Sequence, residues 1–345
     1  MLSKRLLLAG GFAAATATAC HRDGAMRRPA GPLNVNKLTA SFAPLAARAT
    51  PARFGLGVQV LARDEVWLSD ATGLFPMQSV FKAPLAAAAL AEVDARRLKL
   101  DEAIKITDLD LSPPFSAIDQ AWPTPPQHHA ALMPAIDLIA LAVQRDDNTA
   151  ADVIMKRIGG PGAVTAWLRS KDIEDMRIDR YERELRQDVA GMAPFQPQWK
   201  DQAAWIAARD TVPAVDREAA MNAYLTDPRD TTTLPAALGF LSKLVMGELI
   251  SPASTHLLLK LMSTSMTGGH RLIAGLPRGT VLAHKTGTSN TDLGLTPAIG
   301  DIGLATLPDG RRFAIAAFLA GSTATEAERD RLFADAARGV VAALG

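Results

Sequence analysis

The chain has 345 residues, of which 48% are hydrophobic, and a formal net charge of +1. That length allows one large domain or two lobes, and the apolar content supplies a sizeable core. The near-zero charge excludes the electrostatic footprint of a nucleic-acid binder.

The first residues read as a processing signal. Lys4 and Arg5 precede an apolar segment, Leu6 to Ala19, that is too short to span a bilayer. Ala17-Thr18-Ala19 is a small-residue cleavage pattern, and Cys20, the only cysteine, follows at once. Two outcomes fit. Removal of a signal peptide, residues 1–19, leaves a soluble periplasmic protein. Lipid attachment at Cys20 gives a membrane-tethered one, since the run resembles a bacterial lipobox without its usual leucine. A single cysteine permits no intramolecular disulfide. Residues 20–33 read as a flexible leader.

Asn36 to Ala49 has helical spacing of Leu38, Phe42 and Leu45. Phe54 to Ala62 alternates as a strand, and Arg63-Asp64 turns it into a second strand around Val66-Trp67-Leu68. Gln78-Ser79-Val80-Phe81-Lys82 then opens an alanine-rich helix that runs to Arg97. Residues i and i+3 share a helix face, so Lys82 Nζ can hang beside Ser79 Oγ. A serine hydroxyl needs such a base to act as a nucleophile, although a capping serine is the plainer reading of this tetrad alone.

From Leu98 to Thr233 the sequence shows no strand. Helices are expected over Ala135–Gln144, Thr149–Ile158 and Ala163–Arg169, with Gly159-Gly160-Pro161-Gly162 as a breaker. Residues 176–230 are charged and Pro-bearing, with an amphipathic piece from Gln202 to Ala208. Helices resume at Thr233–Met246 and Ser251–Met262. Strand signals return at Gly279 to His284 and Ile302 to Leu307. Asp309-Gly310 is a hairpin turn, and Arg312 to Ala320 is an apolar run suited to a strand covered on both faces. Thr325 to Leu344 is a final helix with Thr325 as its cap. Strands near both ends and helices between them imply an α+β fold. One antiparallel sheet, in a three-layer α/β/α arrangement, is built from residues 34–76 and 247–345. An all-helical lobe, residues 77–246, is inserted and carries an extended loop over 177–230, and the active site lies between the two.

Three chemical motifs stand in order: Ser79-x-x-Lys82, Asp147-Asn148, and Lys285-Thr286-Gly287. Phe75 to Pro84, Asp147 to Ala151, Ile158 to Pro161, Arg177 to Leu185, Arg229 to Thr232 and His284 to Ser289 add to them. In joint order and spacing the chain resembles the class A serine β-lactamases over nearly its whole mature length. The resemblance implies that Ser79 is acylated by the lactam and that Lys82 accepts or relays its proton. It implies that Glu182 activates the hydrolytic water, that the N–H groups of Ser79 and Thr288 form the oxyanion hole, and that Asn148 holds the substrate amide. Lys285, Thr286, Gly287 and Thr288 would meet the substrate carboxylate. Arg271, fourteen residues before Lys285, stands where some members carry an arginine facing that carboxylate; the alternative is a solvated arginine. Asp147 is assigned a structural role, and Arg180 with Asp230 an ion pair closing the glutamate loop. No metal and no cofactor is implied, and the partner is a small β-lactam met by a monomer.

Four departures from the family pattern bear on turnover. Asp146 replaces the usual serine; held between Lys82 and Lys285 it would stay ionised, unable to donate a proton and repelling a substrate carboxylate. Arg186 replaces the asparagine that shares the hydrolytic water and would pair with Glu182, making it a weaker base. Arg183 stands where the family often has a cis proline, so the loop is either strained or differently shaped. The loop from Arg180 to Asp230 is long; Trp199, Trp205 and Tyr224 would pack it as a lid or, the favoured reading, as a satellite of the helical lobe. His128-His129 lacks metal spacing and reads as a surface loop. Two alternatives to a β-lactam hydrolase remain open: a penicillin-binding D-Ala-D-Ala peptidase or esterase of the same fold, and a non-hydrolytic penicillin-binding sensor.

Overall fold

The computed structural model describes residues 31–122 and 130–345; the processing signal, Cys20 and His128-His129 lie outside them. A five-stranded sheet runs, from edge to edge, Glu65–Leu68, Arg53–Val60, Arg312–Ser322, Thr296–Thr306 and Val281–Thr288, with every neighbouring pair antiparallel. Strand Arg312–Ser322 is central, and its apolar run has a plain cause. Alternate side chains point to opposite faces of a sheet. Phe313, Ile315, Ala317 and Leu319 enter one core, and Ala314, Ala316, Phe318 and Ala320 enter the other.

The first core lies under the two end helices, Val35–Ala49 and Glu326–Ala343, and includes Leu38, Leu56 and Phe333. Thr325 caps the second of these helices and forms a reciprocal capping box with Glu328. The second core joins the sheet to the helical segments between: Phe81, Leu85, Leu138, Phe240 and Leu258 are all buried in it, and the Phe75 and Phe318 rings stack at 5.6 Å. Burying each such side chain stabilises the fold by about 1.5–3 kcal/mol relative to exposure. The cleft opens where this second core meets the edge strand Val281–Thr288.

Several elements differ from the sequence reading. Two short ribbons lie within Leu98–Thr233 or at its edge. Ala103–Thr107 pairs with Ala130–Pro134, and Phe75–Pro76 pairs with Thr231–Thr232. Both escape a period-2 pattern because one strand of each is only two residues long or contains no β-branched residue. Strand Thr296–Thr306 starts six residues before the expected Ile302; Pro297, Gly300 and Gly303 mask its pattern, yet both glycines are paired on both sides. Ser79 lies in a 3-10 turn, Gln78–Phe81, and the α-helix begins at Lys82. Helices Glu182–Val189 and Ala214–Thr226 form within the segment read as a long loop.

Candidate active site

The turn that carries Ser79 is tightly held. Gln78 has φ of 47°, in the left-handed region, and Gln78, Ser79 and Lys82 are all buried. Ser79 Oγ donates to Glu182 Oε1 at 2.8 Å. One turn later, Lys82 Nζ lies 3.2 Å from the same Oε1. It also donates to Asn148 Oδ1 at 2.6 Å, to the Asp146 carbonyl at 2.9 Å and to Asp146 Oδ1 at 3.0 Å. Both the ammonium and the nucleophile therefore converge on one carboxylate oxygen.

Asp146, Asp147 and Asn148 come from the turn between helices Ala135–Gln144 and Asn148–Arg157. Asp146 has φ of 60°, a conformation that Asp tolerates better than most residues, and this aims both its carbonyl and its carboxylate at Lys82. Asp147 faces the other way. It caps the following helix through Ala150 N at 2.8 Å and takes Ser116 Oγ and the backbone N–H groups of Ala117 and Ile118 at 2.7–3.1 Å. Asn148 is thereby fixed at the first helical position, with Nδ2 donating to Pro114 O.

The edge strand supplies the opposite wall. Lys285 Nζ donates to Asp146 Oδ1 at 2.7 Å and to Thr286 O at 2.8 Å. Gly287 follows because the strand passes against the nucleophile's backbone: a Cβ there would stand 3.0 Å from Ser79 N and closer still to Met77 O. This approach brings Thr288 to the Ser79 turn. Arg271 is buried, not solvated. Its Nη2 donates to Thr288 Oγ1 at 2.8 Å, its Nη1 to Gly287 O at 3.2 Å, and its Nε to Asp330 at 3.0 Å.

Glu182 sits at the first position of its helix. The structure adds a partner that sequence reasoning missed. Asp152 Oδ1 accepts Glu182 N at 2.7 Å, and Asp152 Oδ2 accepts Arg183 N at 3.1 Å and Ser112 Oγ at 2.6 Å. A carboxylate at this helix start also complements the positive end of the dipole. Asp152 lies four residues after Asn148, on the same face of one helix, and that spacing was the available signal. The described cis peptide bonds are Thr50–Pro51 and Pro113–Pro114, so the Glu182–Arg183 bond is trans. Of the two expectations for Arg183, a differently shaped loop is the one found. Arg183 also lies over the Phe195 ring at 4.3 Å and donates to the Leu109 and Leu111 carbonyls.

Arg186 stands one helical turn after Glu182, with Nε 3.5 Å from Glu182 Oε2. Neither atom has a hydrogen-bond partner, although both are buried. The loop is closed at its base by Arg180 Nε on Asp230 Oδ2 at 2.6 Å, while Asp230 Oδ1 takes the N–H groups of Asp179 and Arg180. The sequence reading favours a satellite on the helical lobe for the segment that follows. Instead Leu185, Tyr224 and Ala298 form a small core that joins this segment to the glutamate helix and the sheet. Tyr224 accepts Gln78 Nε2 at 2.6 Å. Gln78, Arg186, Trp205 and Ser289 line a cavity beside the site. Trp205 and Tyr224 are buried, and Trp199 is half-buried.

Electrostatics divide the carboxylates. Burial raises Asp146, but Lys285 and Lys82 outweigh it and hold the group well below the usual carboxylate range. Burial likewise raises Glu182, and Lys82 and then Arg186 overcome it, leaving Glu182 below its ordinary value. Lys285 is lowered by burial, with Asp146 opposing. Asp152 is pushed up to about 6 by burial, with the Glu182 charge adding to it. The arrangement thus offers a buried serine with an ionised base in contact, an ammonium beside both, and a second carboxylate locked between two lysines. Among the described residues no group of His, Cys, Asp or Glu is placed to hold a metal.

A model of the "β-lactamase enzyme family" matches residues 37–344. The β-lactamase VEB-1 of Pseudomonas aeruginosa is 29% identical over 265 residues, 76% of this chain and 76% of that protein. A β-lactamase of Streptomyces albus G is 29% identical over 306 residues, 86% of this chain and 82% of that protein. Among solved structures, a β-lactamase from Chitinophaga pinensis superposes with a TM-score of 0.71 at 29% identity, covering 88% of this chain and 97% of that one. A class A β-lactamase representing the last common ancestor of Gram-negative bacteria does so at 0.71 and 32% identity, covering 89% and 98%.

Proposed function

The chain belongs to the class A branch of the β-lactamase enzyme family, and we propose that it hydrolyses β-lactams through an acyl-enzyme formed on Ser79. The observation that carries this reading is the contact of Ser79 Oγ with Glu182 Oε1 at 2.8 Å, with Lys82 Nζ 3.2 Å from the same oxygen. In acylation Ser79 Oγ attacks the lactam carbonyl carbon and its proton passes to Glu182. The Oγ–C bond forms and the ring C–N bond breaks. The leaving nitrogen takes a proton from the Lys82 ammonium, and Lys82 recovers one from Glu182. Asp146 is not that donor, since two ammonium groups keep it ionised. The N–H groups of Ser79 and Thr288 receive the developing oxyanion, a role worth about 10²–10³-fold per donor in comparable sites. Asn148 holds the acyl-side amide. In deacylation, water adds to the acyl carbon, Glu182 takes its proton, and the C–Oγ bond breaks as the proton returns to Ser79.

Deacylation is the slow step in this reading. At 2.8 Å there is no space for water between Ser79 Oγ and Glu182 Oε1, so the carboxylate must draw back to admit it. Arg186 pairs with the other oxygen and lowers the basicity of the group. These two features also support a second reading, in which the acyl-enzyme persists and the protein acts as a penicillin-binding sensor. Intact-mass measurement after mixing with penicillin, alongside turnover of a chromogenic cephalosporin, separates the two. An adduct that decays with product release supports the hydrolase, and a permanent adduct the sensor. Failure of either compound to label Ser79 or to be hydrolysed removes both.

The apolar segment Leu6–Ala19 and the Ala17-Thr18-Ala19-Cys20 junction favour export to the periplasm, and Cys20 at that junction is positioned to carry a lipid. No helix among the described residues is long and apolar enough to cross a membrane.

A further inference from the structure

The groups that family resemblance assigns to a substrate carboxylate are already engaged within the protein. Lys285 Nζ faces Asp146 Oδ1 at 2.7 Å. Arg271 Nε faces Asp330 Oδ1 at 3.0 Å, and its two terminal nitrogens go to Gly287 O, Gly300 O and Thr288 Oγ1. Each cation of this cradle therefore already faces a carboxylate, Lys285 sharing Asp146 with Lys82. Thr286 Oγ1 lies 2.6 Å from Thr267 Oγ1. Thr288 accepts from Arg271 through its oxygen and keeps its own O–H to donate.

A second carboxylate entering here would meet Asp146. That group cannot step aside by taking a proton at neutral pH, because Lys285 and Lys82 hold it ionised. It cannot swing away without taking the carboxylate from buried Lys285 and leaving Lys82 with Glu182 alone. Asp146 keeps 23% of its side chain exposed, so its charge is open to an approaching substrate. Like charges brought together in such a site disfavour binding strongly. A neutral carbonyl oxygen meets no such repulsion and is matched by the Thr288 hydroxyl.

We propose that Asp146 makes this cleft selective for β-lactams whose ring carries no free carboxylate, the acid being masked as an ester or amide or missing altogether. The inference rests on the acyl-serine reading of Ser79, and the bonds formed and broken are those given above. Asp146 is here a specificity-determining residue: its negative charge already faces Lys285, the cation that a substrate anion would seek.

A chromogenic cephalosporin and its ring-carboxylate methyl ester form the test pair, with intact mass recorded for each. The ester is expected to show a kcat/KM about tenfold or more above that of the acid. Asp146→Asn, which removes charge and keeps shape, is expected to close or reverse that ratio chiefly by raising kcat/KM for the acid. Asp146→Ser is expected to do the same. A native protein that prefers the acid overturns the inference while leaving Ser79 acylation standing. So does an unchanged ratio in a folded Asp146→Asn variant. If neither compound labels Ser79 or turns over, the hydrolase reading falls and the inference with it.

Discussion

On the glutamate wall of the cleft, Glu182 is fully buried and its Oε1 touches both Ser79 Oγ and Lys82 Nζ. On the facing wall, Asp146 is partly exposed and its Oδ1 touches Lys82 and Lys285 but not the nucleophile. Both carboxylates sit in low-dielectric surroundings and both are kept ionised by cations. The difference is what else each oxygen can reach. Glu182 has a proton to take, at 2.8 Å, and its backbone is fixed by Asp152. Asp146 has only ammonium groups to neutralise. Two residues of like chemistry are thus divided into a base and a counter-ion by which neighbours the fold supplies, a distinction that net charge or local sequence does not carry.

The sharpest way to break this comparison is to remove what Glu182 acts on. Ser79→Ala is expected to abolish both the covalent adduct and turnover; an adduct of the same mass in this variant would move the nucleophile elsewhere. Glu182→Gln is expected to slow adduct decay by about 10²–10⁴-fold, read by stopped-flow and time-resolved mass spectrometry. Arg186→Asn removes the cation from the second carboxylate oxygen and is expected to speed decay of the adduct by about tenfold. The smallest effect is on pH. Deacylation needs Glu182 ionised, and Lys82 and Arg186 hold it below its ordinary value of 4.5, so activity should persist as pH falls until below that value. Because Arg186 lowers Glu182, Arg186→Asn should move this acid limb to higher pH. A limb that stays in place, or moves down, would mean that Arg186 does not govern the base.

Much of the site was legible because its chemistry is local in sequence. Ser79 and Lys82 lie within one turn, Asp146 to Asn148 are contiguous, and Lys285 to Thr288 form one strand end. Family resemblance then supplied the pairing of Arg180 with Asp230, whose ion pair measures 2.6 Å. What stayed hidden depends on contacts between distant segments. Asp152 meets the Glu182 backbone thirty residues away, and Gln78 meets Tyr224 across 146 residues. Neither type of residue carries a motif. The helix Ala214–Thr226 was hard to read because it is mostly exposed and buries little beyond Met221 and Tyr224, so its apolar periodicity is faint. Arg271 has an ordinary surface composition around it; only the fold shows that strand and terminal helix close over it.

The central claim is that Ser79 is acylated and that Glu182 releases the acyl group. Time-resolved intact mass of the native protein mixed with a β-lactam tests it most directly. The account predicts an adduct of the full lactam mass on the peptide that contains Ser79, rising within the first turnover and decaying as hydrolysed product appears, with both formation and decay of the adduct slowed in Glu182→Gln, since Glu182 takes the Ser79 proton in one step and the water proton in the other. Product release with no adduct at any time, or an adduct whose decay is indifferent to Glu182→Gln, would contradict it.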